Sequence, residues 1–258
     1  MQRVSLKDSV RAVQTLLPIT VRHEKWLTEN SNPVYSDKAL KFAQQQLAGV
    51  TGSQRLRKKM FRASSATTCP RAQVFKYIGM PVRAEVDSKL SNIFATGNFL
   101  HLKWQMQGLT EGWLEEAEVP VDRDDLNAGG TMDGILYTGG GLEFKSINDR
   151  GFGKVTSFGP LEGHLYQVHN YMYLGDIGHF SIIYENKNTG EWREFRVDRN
   201  EMLIKQAEIR FTELNEHVDK KILPKVLPDC RVEEGTQFRQ CPYRDVCLKT
   251  KMWPQVKS

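Results

Sequence analysis

The chain has 258 residues, of which 40% are hydrophobic and 26% are charged, and its formal net charge is +5 at pH 7. These proportions exclude a disordered, a collagen-like or a coiled-coil chain over most of the length, and the length is enough for one substantial core. The longest uncharged apolar stretches, such as residues 180–184, are far shorter than the roughly 20 residues of a spanning helix, so we expect no membrane segment.

Residues 1–63 are polar and have helical spacing, which predicts an N-terminal helical region before a main domain over 64–258. An apolar set near the start and a later segment over 39–47 carry this spacing. The apolar set is Val10, Val13, Leu16 and Leu17.

Charged side chains such as Arg3 and Lys7 interrupt the apolar run that a signal peptide needs, so we expect a cytoplasmic location.

A basic cluster ends this N-terminal region. Its members are Arg55, Arg57, Lys58, Lys59 and Arg62. Clustered positive charge can follow a phosphate backbone, although a run of this kind is more often a solvated helix face. Both interpretations remain open, and a mild positive excess permits a nucleic-acid partner without requiring one.

Helical and β-type segments alternate through the rest of the chain. Thr68 and Pro70 are a helix-start signal, because a hydroxyl can cap free amides and proline suits the first turn. The predicted helices cover 70–78, 96–109, 164–174 and 203–222. The predicted strands cover 118–121, 131–137, 142–146, 180–185 and 192–197, with turns at 139–141 and 188–190. This order predicts an α/β or α+β fold, and the sequence contains no GxGxxG or Walker loop.

Acidic and basic side chains are expected to meet at the strand over 142–146. Because side chains alternate along a strand, Glu143 and Lys145 share one face. Antiparallel pairing through the glycine turn brings Asp133 close to them. Two carboxylates and a lysine suit metal-assisted phosphodiester hydrolysis, in which oxygen atoms hold Mg²⁺ or Mn²⁺. The alternative is a solvated ion pair between Glu143 and Lys145, worth less than about 1 kcal/mol.

Three further polar side chains accompany this group. His101 lies upstream on a predicted helix, where a lone histidine is more often packed or capped than a ligand. Gln167 and Tyr171 are four residues apart, so they share a helix face from which they could touch a phosphate or orient Lys145. The alternative for Tyr171 is membership of an aromatic core stripe.

The ordered polar residues resemble the motifs of the PD-(D/E)XK nucleases of the RecB type, over about residues 65–250. The matching residues are His101, Asp133, Glu143, Lys145, Gln167 and Tyr171. The resemblance implies a restriction-endonuclease-like core, a central mixed sheet flanked by helices. It also implies that His101, Asp133 and Glu143 hold the divalent ion, helped by the Phe144 carbonyl. In that family the lysine, here Lys145, assists the attacking water, and the residues matching Gln167 and Tyr171 help hold DNA.

Four cysteines form a second group of candidate ligands. Cys69 precedes the nuclease motifs, and Cys230, Cys241 and Cys247 follow them. Cytosolic chains rarely keep structural disulfides, and four thiols make one tetrahedral or cubane ligand set. Zinc sites usually contain paired C-x2-C knuckles, which this sequence lacks. An iron-sulfur cluster, a zinc ion and unligated thiols all remain open on the residues alone.

The placement of one cysteine before the motifs and three after them resembles the iron-sulfur branch of the same nucleases. That branch includes the CRISPR-associated exonuclease family, the helicase-nuclease subunit AddB and phage-borne relatives. Cys241 and Cys247 match its closing C-x5-C, whereas ten residues separate Cys230 from Cys241 where the branch usually has two. The resemblance implies a 4Fe-4S cluster that fastens the C-terminal tail to the helix near Cys69.

The sequence therefore predicts a metal-dependent DNA exonuclease that acts on single strands or DNA ends in recombination, repair or spacer processing. One alternative is a non-catalytic DNA-binding module organised by a metal-cysteine knot, which would bind without turnover. Another is a structure-specific endonuclease, which would also cut circular single strands. The expected partner is DNA, and a homo-oligomer or a recombination partner protein is compatible with the sequence.

Overall fold

The structure of the protein is a computed structural model that describes residues 10–11, 18–51, 59–65, 67–82, 88–230, 239 and 241–254. A mixed sheet forms its centre, and helices pack on both faces of the sheet. In the described part of the chain, no helix combines the length and the apolar character that crossing a bilayer requires.

Seven strands form the central sheet. They are β1 (Val10–Arg11), β2 (Phe61–Arg62), β3 (Leu114–Arg123), β4 (Ala128–Leu136), β5 (Gly141–Ile147), β6 (His179–Asn186) and β7 (Trp192–Asp198). Their order is β1-β7-β6-β5-β4-β2, and β3 also pairs with β4. The pairs β5–β6 and β2–β4 are parallel, and the other pairs are antiparallel. The sheet is therefore mixed, with β6 and β5 at its middle.

Helices connect and cover these strands. They are α1 (Ile19–Glu29), α2 (Asp37–Thr51), α3 (Pro70–Tyr77), α4 (Ser88–Glu111), α5 (Asp149–Phe158), α6 (Glu162–Gly175), α7 (Glu201–Asp219) and α8 (Arg244–Cys247). Three of the described helices begin with a side-chain cap: Ser36 accepts a hydrogen bond from the Ala39 amide, Asn148 accepts from the Gly151 amide, and Asn200 accepts from the amides of Met202 and Leu203. These caps satisfy amides that the first helical turn leaves free.

Two apolar layers cover the faces of the sheet. On one face, α6 and α7 pack through buried side chains such as Val168, Met172 and Phe211. On the other face, α4 packs through Trp104, which contacts the same cluster as Phe144 of β5. Because β5 is covered on both sides, a polar side chain on it lies inside the protein rather than on a wet surface.

The order of elements over residues 64–258 agrees with the sequence prediction, and three details differ. Helix α4 begins at Ser88 rather than at residue 96, and its additional first turns are exposed, including the apolar side chains of Leu90, Ile93 and Phe94. Helix α5 was not predicted; it is short and buries only Phe152 and Val155. Helix α7 ends at Asp219, and Lys221 beyond it has a left-handed φ of 53°, which ends the helical path.

The N-terminal region departs from the predicted helical pattern at both ends. Val10–Arg11 pair antiparallel with β7, and Phe61–Arg62 pair parallel with β4, so backbone pairing with sheet edges overrides the local spacing. Helix α2 covers the segment over 39–47 that was predicted to be helical, whereas α1 follows the predicted apolar set, and Ile19 of α1 packs in the cluster that contains Trp104. The division at residue 63 stays a prediction. Eight residues used in the predictions lie outside the described ones: Arg3, Lys7, Val13, Leu16, Leu17, Arg55, Arg57 and Lys58.

Candidate functional site

Strands β4 and β5 pair only next to the turn that joins them. Gly134 pairs with Leu142 and Ile135 with Gly141, and the turn contains Gly139 with a φ of 81° that favours glycine. Beyond this pairing, the Phe144 amide donates a 2.6 Å hydrogen bond to Oδ2 of Asp133. The Asp133 side chain thus bridges the two strands where they separate.

Glu143 and Lys145 project from the same face of β5, as predicted. Lys145 Nζ lies 2.5 Å from Glu143 Oε1. Gln167 of α6 donates a 2.7 Å hydrogen bond to the same oxygen and accepts a 3.2 Å hydrogen bond from Lys145 Nζ. The side chains of Glu143 and Lys145 are 3% and 22% exposed, so the structure contradicts the alternative of a solvated ion pair.

The electrostatics of this pair are unusual. Burial and the negative charge of Asp133 raise the pKa of Glu143 to about 7, although Lys145 opposes both effects. Burial lowers the pKa of Lys145, but the attraction of Glu143 and Asp133 outweighs burial and raises it. Among the described residues, Glu143 Oε2 is buried without a hydrogen-bond partner. A buried oxygen of this kind costs free energy unless a cation or donor satisfies it.

His101 faces Asp133 from α4. Its Nδ1 lies 3.4 Å from Asp133 Oδ1, and its ring meets the Phe144 ring edge-on at 4.9 Å. Burial lowers the pKa of His101, but the hydrogen bond to Asp133 and the charge of that carboxylate outweigh burial and raise it. The helix therefore brings a nitrogen donor to the acid that the sequence analysis assigned to the same site.

Two residues of this site escaped the sequence analysis. Gln105, one turn after His101 and 3% exposed, donates hydrogen bonds to the Asp133 carbonyl at 2.9 Å and to Glu118 Oε1 at 2.7 Å. Burial raises the pKa of Glu118, and the charge of Asp133 raises it further against the hydrogen bond from Gln105. Glu118 has a left-handed φ of 55° within β3. The helical spacing of Gln105 from His101 was the one signal in the sequence, and nothing in the sequence marked Glu118.

Tyr171 supports β4 from α6. Its hydroxyl donates a 2.8 Å hydrogen bond to the Thr131 carbonyl, and the side chain is buried. A Cβ atom at Gly130 would lie 3.0 Å from the Tyr171 ring, so glycine permits this close approach. Tyr171 thus belongs to the aromatic core that was the alternative interpretation, while the contact of Gln167 and Tyr171 with DNA stays a prediction.

His164 is a third residue that sequence reasoning missed. Its Nδ1 lies 2.8 Å from the Tyr184 hydroxyl, which also accepts a hydrogen bond from the Leu161 amide. Burial, and after it the positive charge of Lys145, lowers the pKa of His164 to about 4. The imidazole is therefore neutral near pH 7. Its position three residues before Gln167 on α6 was the only signal in the sequence.

The donor chemistry of this site fits a divalent cation. Asp133 and Glu143 supply carboxylate oxygens, one of them the unpartnered Glu143 Oε2, and His101 supplies a nitrogen. Mg²⁺ and Mn²⁺ prefer such oxygen-rich sets. Within the described residues, no three His, Cys, Asp or Glu side chains stand close enough together to enclose an ion. Binding would therefore require rotation of side chains, and the role of the Phe144 carbonyl stays a prediction.

Cys69, Cys241 and Cys247 pack against the same apolar cluster although they are distant in sequence. Cys69 occupies the N-cap position of α3, and its side chain forms no capping hydrogen bond. Burial raises the pKa of the Cys230 thiol, and the charges of the other three thiols raise it further. None of the four is in a disulfide. Among the described residues, no three His, Cys, Asp or Glu side chains stand close enough to hold an ion, so the use of the four cysteines as ligands stays a prediction.

Comparison with known proteins finds similarity at the level of structure. No family model matches the sequence, and no curated protein matches it. The alkaline exonuclease LHK-Exo of Laribacter hongkongensis superposes with a TM-score of 0.52 and 14% identity, over 64% of this chain and 90% of that chain. The structure of LHK-Exo in complex with dAMP superposes with a TM-score of 0.52 and 13% identity, over 63% of this chain and 89% of that chain. The structure of SSO0001 superposes with a TM-score of 0.47 and 17% identity, over 80% of this chain and 96% of that chain.

At this level of identity the likeness concerns the fold. The central mixed sheet flanked by helices, which the sequence predicted, is confirmed by the architecture and by the match to the exonuclease fold. Fold alone does not define an activity, because one architecture carries many chemistries. The chain therefore has a mixed α/β core similar in fold to that of the alkaline exonuclease, and acidic and basic side chains are gathered where its strands β4 and β5 separate.

Proposed function

We propose that the protein is a Mg²⁺- or Mn²⁺-dependent deoxyribonuclease of the PD-(D/E)XK type that hydrolyses single-stranded DNA or DNA ends as an exonuclease. One observation carries the proposal: Asp133, Glu143 and Lys145 meet inside the protein where β4 and β5 separate, with an unpartnered carboxylate oxygen among them. Two acids and a lysine in a buried, hydrogen-bonded group suit phosphodiester hydrolysis better than a structural role.

The contacts of each side chain support a specific role for it in phosphodiester hydrolysis. The Phe144 amide holds Asp133 Oδ2, which leaves Oδ1 toward His101, and Gln167 holds Glu143 Oε1, which leaves Oε2 free. A divalent ion bound by these donors would neutralise phosphate charge and lower the pKa of a bound water. Lys145 stays cationic, and its hydrogen bond to Gln167 positions it. From there its ammonium group can donate a hydrogen bond to the attacking water or to a phosphate oxygen.

Exonuclease action on DNA is the finer part of the proposal. Its support is the fold shared with an alkaline exonuclease, together with the order of the six motif residues along the sequence. The net charge of +5 is favourable for a polyanionic substrate. Roles in recombination, repair or spacer processing follow from the resemblance and belong to the same proposal.

We also propose that Cys69, Cys230, Cys241 and Cys247 hold a metal centre, an iron-sulfur cluster of the 4Fe-4S type. The support is that all four thiols are free and that Cys69 packs in the same apolar cluster as Cys241 and Cys247. Four sulfur donors complete a cubane ligand set. In this position the centre joins the start of α3 to the C-terminal segment, so its role is structural rather than catalytic.

The decisive experiment is digestion of 5′-labelled linear single-stranded DNA by anaerobically purified protein with Mg²⁺ or Mn²⁺. Asp133→Asn keeps an oxygen that can accept from the Phe144 amide but removes the charge, and Asp176→Asn, at an exposed left-handed helix cap, is the matched control. We expect metal-dependent product release that EDTA and Asp133→Asn abolish and Asp176→Asn preserves.

The product pattern separates the alternatives. Short products from the first time points indicate exonuclease action and report its direction, whereas cleavage of circular single strands would indicate an endonuclease. Divalent-independent DNA binding without turnover, in folded protein that carries its metal, would contradict the proposed enzyme and favour the non-catalytic module.

A further inference from the structure

Two hydrogen-bonded bridges stand side by side between α6 and the sheet. The first joins Gln167 to Glu143 and Lys145. The second joins His164 Nδ1 to the Tyr184 hydroxyl of β6, at 2.8 Å. Tyr184 is the direct partner of Lys145 in the parallel pair of β5 and β6, so both side chains project from the same face of the sheet. His164, three residues before Gln167, therefore lies on the same side as Lys145, about 4.5 Å nearer the start of α6 than Gln167.

The Tyr184 hydroxyl selects one tautomer of the His164 ring. Its oxygen accepts a 3.2 Å hydrogen bond from the Leu161 amide, and the Tyr184 side chain is fully buried, so the hydroxyl proton needs an acceptor of its own. Among the described residues, His164 Nδ1 is the acceptor within reach of that proton. A neutral imidazole that accepts at Nδ1 carries its hydrogen on Nε2. The ring is neutral near pH 7, because burial and then the charge of Lys145 lower its pKa to about 4.

The Nε2–H group of His164 is a donor without an acceptor in the described part of the chain. The ring is half-buried and solvent reaches Nε2, whereas Nε2 of His169 on the same helix is buried. Within the described residues, Lys145 is the charged side chain that acts on His164, and no acid contributes to the shift of its pKa. A hydrogen-bond donor and an ammonium group therefore stand close together, and no acid of these residues accepts from the imidazole. This arrangement favours an anionic acceptor that arrives with the substrate.

Two other roles for His164 use its ring nitrogens differently. Metal ligation through Nε2 requires that atom to lose its hydrogen, which moves the hydrogen to Nδ1 and removes the acceptor of the Tyr184 proton. A purely structural role uses the bond between Nδ1 and Tyr184 alone and leaves Nε2 without a function. Binding of an anion uses both nitrogens, since Nδ1 fixes the ring and Nε2 donates.

We propose that His164 is a substrate-binding residue of the nuclease site, which donates from Nε2 to a non-bridging oxygen of the DNA phosphate next to the scissile one. Tyr184 is its positioning residue and holds the ring in the donating tautomer. The inference rests on the proposed function and names a further contact of the same site. The offset of one helical turn between His164 and Gln167 separates this contact from the scissile phosphate, which Lys145 serves. A neutral donor recognises a phosphate oxygen by direction and adds no charge that would compete with Lys145.

The first test determines the tautomer in the whole chain, independently of any cleavage. Protein labelled with ¹⁵N in histidine is measured by long-range ¹⁵N–¹H correlation at pH 7, which distinguishes protonated from unprotonated ring nitrogens. The signals of His164 are those that disappear in His164→Asn. We expect Nδ1 unprotonated and Nε2 protonated in wild type, and a mixture of tautomers in Tyr184→Phe. Hydrogen on Nδ1 in folded wild type would overturn the proposal, because Nε2 of that tautomer cannot donate.

The second test measures the affinity for labelled single-stranded DNA by fluorescence anisotropy in EDTA, so that binding is measured without cleavage. Each oligonucleotide of a series carries one methylphosphonate, in which a methyl group replaces a charged oxygen of one phosphate. His164→Asn can still accept from the Tyr184 hydroxyl near the position of Nδ1, but it has no atom at the position of Nε2. The control is His217→Asn on α7, where the His217 ring bonds the Ile222 carbonyl. Far-ultraviolet circular dichroism verifies the fold of each variant.

We expect one methylphosphonate position to weaken binding to wild type by about tenfold, the effect of losing a hydrogen bond to a charged group. His164→Asn should bind unmodified DNA about tenfold more weakly and lose almost nothing further at that position, while His217→Asn follows wild type. Identical position profiles for wild type and His164→Asn would overturn the contact and leave the nuclease proposal standing. Folded wild type that binds no DNA would overturn both. The expected profile without turnover in Mg²⁺ or Mn²⁺ would overturn the enzyme and support the phosphate contact.

Discussion

Lys145 Nζ lies 2.5 Å from Glu143 Oε1, and both side chains point from β5 into the interior. The pair is not an isolated salt bridge, because Gln167 joins both partners and Asp133 adds a second negative charge nearby. One cation therefore stabilises two crowded acids, and Glu143 Oε2 remains unpaired. A second cation beside Glu143 Oε2 would stabilise the two carboxylates further, and the proposed divalent ion is such a cation.

Replacing Lys145 by methionine should abolish cleavage while keeping the fold. Methionine retains most of the buried stem but removes the charge that the proposal assigns to the attacking water or the phosphate. We expect turnover to fall by about 100-fold or more. Initial rates on labelled single-stranded DNA measure this, and Lys154→Met on the exposed face of α5 is the matched control. Retained turnover in folded Lys145→Met would remove lysine from the mechanism.

Gln105 should matter for stability and for the geometry of the acids. Gln105→Leu leaves Glu118 Oε1 and the Asp133 carbonyl without their shared donor, so we expect a loss of about 1–3 kcal/mol in the free energy of unfolding. Urea titration measures this loss. Gln107→Leu is the control, because Gln107 is also buried on α4 but its Oε1 has no hydrogen-bond partner among the described residues. Equal losses in the two variants would contradict a specific role for Gln105.

Cys69→Ala should lower metal content and stability together. Cys69 precedes α3, and the proposed metal centre joins it to the three cysteines of the C-terminal segment. Removing the Cys69 sulfur would therefore break the connection between α3 and that segment. The measurements are visible absorption, iron and sulfide per chain, and the thermal unfolding temperature. Thr67→Ala, an exposed neighbour, is the control. Full colour at wild-type stability in Cys69→Ala would contradict the proposed staple.

The central acids of the site were predictable because their arrangement is local. Strand periodicity places Glu143 and Lys145 on one face, and a glycine turn between two strands fixes the pairing that brings Asp133 to them. These rules depend only on residues close together in the sequence. The same holds for the spacing of Gln167 and Tyr171 on α6.

Features that depend on distant packing were not predictable in this way. The bond between Gln105 and Glu118 requires α4 to lie over β3 and a left-handed residue within a strand. The strand at Val10–Arg11 forms because β7 offers an edge, which no property of the N-terminal sequence reveals.

His164 should make stability depend on pH. Burial, and secondarily the charge of Lys145, lowers the pKa of His164 from 6.5 to about 4 in the folded protein. Above pH 6.5 the imidazole is neutral in the folded and unfolded states, and its contribution to stability is fully present. As the pH falls from 6.5 toward 4, the unfolded chain binds a proton that the folded protein does not, so the folded state becomes less stable.

We therefore expect wild type to lose on the order of 1–2 kcal/mol more than His164→Gln between these pH values. Glutamine does not titrate in this range and can still bond the Tyr184 hydroxyl, so the variant removes the proton and keeps a partner. Urea titrations at matched pH values measure the difference. In the Lys145→Met background the difference should shrink, because one of the two causes of the lowered pKa is gone. Parallel pH curves for wild type and His164→Gln would contradict the buried, neutral imidazole.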